Sequence, residues 1–142
     1  MSKSEKEHLP KGEKAAVENR QIGEFGESVA CDYLKKQGYE IVARNFRFGR
    51  NEIDIIASNA RYIVFAEVKT RSRSENFRPS GAVTLKKRRG IVAAARGWLG
   101  GGEYDRYPRF DVIEVVLGEG GSSVAEINHI EGAFDAAGRI VP

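Results

Sequence analysis

Two strongly apolar runs, Ile63-Val64-Phe65-Ala66 and Phe110-Asp111-Val112-Ile113-Glu114-Val115-Val116, lie on either side of a stretch at about 84–99 that reads as a helix. Strands joined through a helix need a crossover connection, and this confines the chain to a mixed α/β architecture. Ahead of the first run, 40–46 and 52–57 read as strands, divided by Gly49-Arg50-Asn51 and followed by a turn at Ser58-Asn59-Ala60. The third strand covers 61–69, the fourth 109–117, and a fifth 123–130, with Ala133-Phe134 folding over an edge. A long helix covers about 13–37, stopped by Gly38. The order is α-β-β-β-α-β-β. Residues 1–11 read as a flexible tail and 12–142 as a single domain.

Size and composition agree. The chain has 142 residues, 41% hydrophobic and 30% charged, which suits one globular domain and excludes disordered or fibrous classes. One cysteine, Cys31, rules out an internal disulfide and the usual zinc ribbon. No apolar run approaches the ~20 residues of a membrane span, and the polar start Met1-Ser2-Lys3-Ser4 has no secretion-signal core. The expected location is cytoplasmic.

The net charge of +3 conceals a strong asymmetry. Residues 69–96 hold nine bases against one acid, whereas 97–142 hold three bases against eight acids. A basic block of this density is the footprint of a polyanion partner, or else a solvated helix face. Thr84 is placed to cap the second helix, with Lys86 to Arg89 in its first turns. Cations there oppose the helix dipole, which points to an anionic partner.

Chemistry concentrates on the second and third strands. Glu52 and Asp54 share one strand face, as do Glu67 and Lys69. A two-residue Asn59-Ala60 turn would pair 54 with 65 and set Asp54 diagonal to Glu67, with Cβ atoms about 7 Å apart. Two carboxylates at that range can share a Mg²⁺ or Mn²⁺ ion. Lys69 would project beside it. A surface salt-bridge cluster is the alternative, but charges that follow so apolar a strand are usually paired or functional.

In the first helix, Ile22, Phe25, Val29 and Tyr33 fall within an arc of about 80°, the expected buried stripe. Gly26 and Ala30 adjoin it and permit close approach to a sheet. Glu24 points away; Glu27, on the rim, is the better helix candidate for the site, against the plain reading of a solvated residue. His8 and His129 have no evident partners, Trp98 and Cys31 read as core, and Tyr104 and Tyr107 read as loop packing or base-stacking residues.

These residues carry a resemblance. Gly23-Glu24-Phe25-Gly26-Glu27, Ala30, Tyr33-Leu34, Gly38-Tyr39 and Asn45 resemble the opening of the YraN-like family of small bacterial proteins. Asn51-Glu52-Ile53-Asp54-Ile55-Ile56-Ala57, Val64-Phe65-Ala66-Glu67-Val68-Lys69-Thr70-Arg71, Ala82-Val83, Lys86-Lys87 and Arg109-Phe110-Asp111-Val112 continue the match over about residues 20–135. Asn51 stands where the family usually has Gly, and Ala66 where it has Val; neither removes a charged group.

The family is similar to restriction-endonuclease-like nucleases and, within them, to archaeal Holliday junction resolvases. The resemblance implies a three-layer fold with a central mixed sheet flanked by helices. It implies Glu27, Asp54, Glu67 and Lys69 as the catalytic set, with Asp54 and Glu67 as ligands to Mg²⁺ (or Mn²⁺). The implied activity is metal-dependent endonucleolytic hydrolysis of phosphodiester bonds, with branched DNA among the substrates. Arg71, Arg73, Lys86, Lys87, Arg88 and Arg89 would then bind the nucleic-acid backbone. Resolvases act as dimers, so a homodimer is among the expectations, although no residue marks its face. The competing reading is a non-catalytic nucleic-acid-binding module, or an adaptor for an acidic protein, on the same fold.

Overall fold

In the computed structural model, which describes residues 11–72, 83–101, 104–120 and 123–141, with side chains from residue 20, the chain begins with helix α1 (Lys11–Lys36). Strands β1 (Glu40–Phe48), β2 (Asn51–Ser58) and β3 (Tyr62–Ser72) follow. Helix α2 (Leu85–Leu99), β4 (Tyr107–Leu117) and β5 (Val124–Phe134) complete the order α-β-β-β-α-β-β. Residues 1–10 of the expected tail lie outside the described residues, and Lys11 already belongs to α1.

The strands form one sheet in the order β1-β2-β3-β4-β5. It is antiparallel except between β3 and β4, the pair joined through α2. Alternation along β3 explains the layering. Ile63 and Phe65 pack beneath α2 with Ile91, Val92 and Ala95. Val64 and Ala66 pack beneath α1 with Ala30, Cys31 and Leu34. The central strand is buried on both faces, which is why its sequence runs apolar without a break. The result is the expected three-layer, open α/β sandwich.

Local chemistry sets the boundaries. Thr84 caps α2, its Oγ1 accepting from the Lys87 N–H at 3.2 Å. Gly100 ends it in the left-handed region (φ 67°), where a side chain would be strained. Three expectations are corrected. The β2–β3 turn spans four residues, because the Asn59 Oδ1 accepts from the N–H groups of both Arg61 and Tyr62; Ser58 therefore faces Ile63, not Arg61. Ala133 and Phe134 do not fold over an edge: they finish β5, and Phe134 stacks on Phe110 within the core (5.2 Å between ring centres). The third concerns α1. Ile22 and Phe25 are each 38% exposed, while Ala30 and Leu34 are fully buried.

That last difference has a steric cause. A Cβ on Gly26 would lie 1.8 Å from the Thr70 Oγ1 of β3. The helix settles on its small residues, which lets its axis approach the sheet, and so turns its bulkier stripe outward. The buried residues Gly26, Ala30, Leu34 and Cys31 span an arc centred about 130° from the expected one, and Glu27 now falls within it, not on the rim.

Candidate active site

The β2–β3 ladder runs from Ser58↔Ile63 to Ile55↔Ala66. Continuing this register puts Asp54 directly opposite Glu67, not diagonal as the two-residue turn required. There the side chain takes over from the backbone: an Asp54 carboxylate oxygen accepts from the Val68 N–H at 2.8 Å. This contact fixes the carboxylate at the point where regular pairing stops.

Glu67 continues the Ile63–Phe65 face of β3 toward the start of α2. Its residue is 3% exposed. Lys87, in the first turn of α2, reaches its Oε1 at 3.3 Å. The other oxygen, Oε2, is buried and has no hydrogen-bond partner. Burial, then Asp54 through its charge and a side-chain hydrogen bond, push the Glu67 carboxyl up to about 7, against the opposing pull of Lys87 and Lys69. Lys69 is thus close enough to act on Glu67 electrostatically.

Glu27 approaches from α1. Burial and the neighbouring Asp54, both by charge and by a side-chain hydrogen bond, push its carboxyl up to about 7. With its amide turned to donate, Asn45 spans Glu27 Oε1 and Glu52 Oε1 at 3.1 Å each. Asn45 is the non-glycine residue with positive φ (52°) among the described residues, a conformation Asn tolerates better than most. The acids therefore form a chain, Glu52–Asn45–Glu27–Asp54–Glu67, with Asp54 touching both neighbours.

Among the described residues, no group of three or more His, Cys, Asp or Glu side chains stands as a ready-made metal cage. The donor chemistry nonetheless fits a hard divalent ion. Three carboxylates lie in a row, one buried oxygen lacks a partner, and two carboxyls are driven toward neutrality by burial and by the Asp54 charge between them.

The basic block divides. Lys86, Lys87 and Arg89 are exposed on α2, but Lys87 is engaged by Glu67. Arg88 donates to the Gly138 and Val83 carbonyls and fastens the C-terminal segment to α2. Arg71 pairs with Glu114 at 3.3 Å, with both side chains largely buried. Arg73 lies outside the described residues.

Sequence reasoning missed two groups. One is the Asn45 link: alternation put Glu52 on the Asp54 face, but Asn45 joins it to Glu27 through a left-handed residue and strand pairing, neither visible in residue spacing. His129 is not partnerless: its Nε2 lies 2.7 Å from Asp111 and its Nδ1 3.0 Å from the Tyr33 hydroxyl. Arg109 pairs with the same Asp111 and lies over the Tyr62 ring. Burial alone would raise the Asp111 carboxyl, but hydrogen bonds from His129, Arg109 and the Gly132 N–H pull it below its ordinary range. This second network is fully paired and is best read as a core strut. Trp98 packs edge-on against Phe46, and Cys31 is buried, as expected. Tyr107 is 67% exposed at the start of β4.

No helix among the described residues is long and apolar enough to cross a membrane. Residues 26–115 match the model of the family described as Uncharacterised protein family UPF0102. The chain is similar to UPF0102 proteins from several bacteria. The protein of Caldanaerobacter subterraneus subsp. tengcongensis is 40% identical over 119 residues, which is 83% of this chain and 98% of that one. That of Chlorobaculum parvum is 43% identical, covering 82% and 93%, and that of Geotalea daltonii 44%, covering 84% and 94%. The match takes in every acid of the chain described above.

Proposed function

This chain belongs to the UPF0102 family, the YraN-like group of small bacterial proteins, and we propose that it is a metal-dependent endonuclease that hydrolyses phosphodiester bonds in nucleic acid, with branched DNA as the substrate to test first. The observation that carries this reading is the Glu67 carboxylate: 3% exposed, beside Asp54, with Oε2 unpartnered. A fold does not keep a buried carboxyl beside another for stability, because desolvation and like-charge repulsion both oppose its ionised form.

Asp54 and Glu67 would hold Mg²⁺ or Mn²⁺. When bound, such an ion supplies Lewis-acid polarisation of a phosphoryl oxygen and a lowered pKa for a bound water. The Asp54 oxygen that accepts from the Val68 N–H keeps the carboxylate in one orientation as substrate enters. Glu27, held by Asn45, crowds Asp54 with negative charge and can release a proton near neutral pH when positive charge arrives. Lys69 positions the attacking water and stabilises the charge developing on the phosphate. Lys86 and Arg89 would grip the backbone, largely without regard to sequence. A two-fold branched substrate would call for a homodimer, which sedimentation with and without a junction would detect.

The test is cleavage of labelled branched, flapped, duplex and single-stranded DNA, with RNA counterparts, in Mg²⁺, Mn²⁺ or EDTA. Mg²⁺-dependent products are expected, with Asp54→Asn and Lys69→Ala each slowing cleavage by on the order of 10²–10³. Unchanged cleavage in both variants would sink the reading. The exposure of Lys86 and Arg89 on α2 equally favours one rival, a non-catalytic nucleic-acid-binding module. It predicts binding with no cleavage under any ion.

A further inference from the structure

The lysine that reaches Glu67 is not the one on its own strand. Lys87 comes from the opposing helix, and its Nζ lies 3.3 Å from Glu67 Oε1. The two partners differ sharply in exposure: the Lys87 side chain is 49% exposed, the Glu67 side chain 4%. Glu67 cannot leave the site, but the end of Lys87 can swing into solvent on its flexible stem without opening a cavity. The stem has a fixed base, because the Lys87 N–H donates to the Thr84 cap.

We propose that Lys87 is a tethered counter-cation: it holds Glu67 until a divalent ion arrives, yields the carboxylate to that ion, and is thereby freed for a substrate phosphate. This rests on the metal-dependent reading above and adds a coupling to it. A buried carboxylate needs positive charge beside it. Lys87 supplies that charge to one oxygen only and leaves Oε2, buried and without a hydrogen-bond partner, for an incoming ion. Two cations cannot both sit against Glu67 without repelling one another, so ion binding must weaken the lysine's hold. Once released, Lys87 stands in the first turn of α2, where the helix dipole disfavours a cation but favours an anion. No acid is present in that turn, and Lys86 and Arg89 are exposed beside it. A phosphate oxygen is therefore the natural next partner. Coupling of this kind is reciprocal: polyanion should tighten metal binding as much as metal tightens polyanion binding.

Mn²⁺ titrations followed by electron paramagnetic resonance, on the full-length protein without nucleic acid, test the first half. Lys87→Met should bind Mn²⁺ on the order of tenfold more tightly than the parent, within the usual range of coupling between two ligands. Lys86→Met removes the same charge one residue away and should leave Mn²⁺ affinity near the parental value. Equal affinity of Lys87→Met and parent, or equal tightening by Lys86→Met, overturns the proposal. Lys87→Arg keeps the carboxylate paired and should bind Mn²⁺ no more tightly than the parent; a tighter Arg variant overturns it whether or not the Met variant folds. For the second half, a single-stranded oligonucleotide should tighten Mn²⁺ binding severalfold more in the parent than in Lys87→Met, and equal tightening removes the release step. Failure of every protein to bind Mn²⁺ removes the metal reading itself, whereas binding that ignores Lys87 removes only the counter-cation.

Discussion

At the scale of single residues, Glu67 makes a prediction about stability. Its carboxyl is raised from the ordinary 4.5 to about 7. The folded chain therefore binds a proton more tightly than the unfolded one. The stability that this proton contributes is complete below pH 4.5 and lost as pH rises to about 7. In EDTA, denaturant unfolding should show a less stable protein at pH 8 than at pH 5, with on the order of 2–3 kcal/mol of the difference due to Glu67. Glu67→Gln should remove that share of the dependence and raise stability at pH 8, leaving the share of Glu27, whose carboxyl is also raised to about 7. Glu67 and Lys69 were legible as neighbours because strand alternation puts them on one face, and Asp54 as near them, although the longer turn sets it opposite Glu67 and not diagonal. Lys87 was legible as a charge but not as a partner of Glu67, since the contact joins residues from different layers.

Between elements, α1 and β3 meet where Gly26 faces Thr70. Gly26→Ala should destabilise by about 1–3 kcal/mol, the usual range for overpacking, and should shift Glu27 away from Asp54. Thr70→Ala removes the hydroxyl that a new Cβ would strike. The double variant should regain most of the loss, and a double-mutant cycle would read this as coupling between the pair. Element order, the stop at Gly38 and the cap at Thr84 could all be read from sequence, because each is local chemistry. The rotation of α1 could not. An apolar stripe names the face that prefers burial, but close packing on Gly26 and Ala30 chose a different one, and Glu27 moved from the rim into the packed arc with it. The β2–β3 register was missed for a similar reason: the Asn59 side chain lengthened the turn by bonding backbone two and three residues on.

Over the whole molecule, the basic block is less of a patch than its charge implies. Arg71 and Arg88 are tied into the fold, whereas Lys86 and Arg89 face solvent. Nucleic-acid affinity should fall steeply with salt, and Lys86→Ala or Arg89→Ala should each reduce the slope by about one. Arg88→Ala should instead lower the unfolding midpoint and leave the slope near that of the parent. The reverse pattern would show that the grip lies elsewhere.

One buried atom offers a view of motion. Cys31 is the single thiol of the chain, is 4% exposed beneath α1, and is pushed toward its less reactive protonated form by burial. A thiol reagent can reach it only when α1 lifts from the sheet. The rate of labelling is therefore a clock for that opening, and Glu27 rides on the same helix, so the clock also times how often the helix carboxylate leaves Asp54.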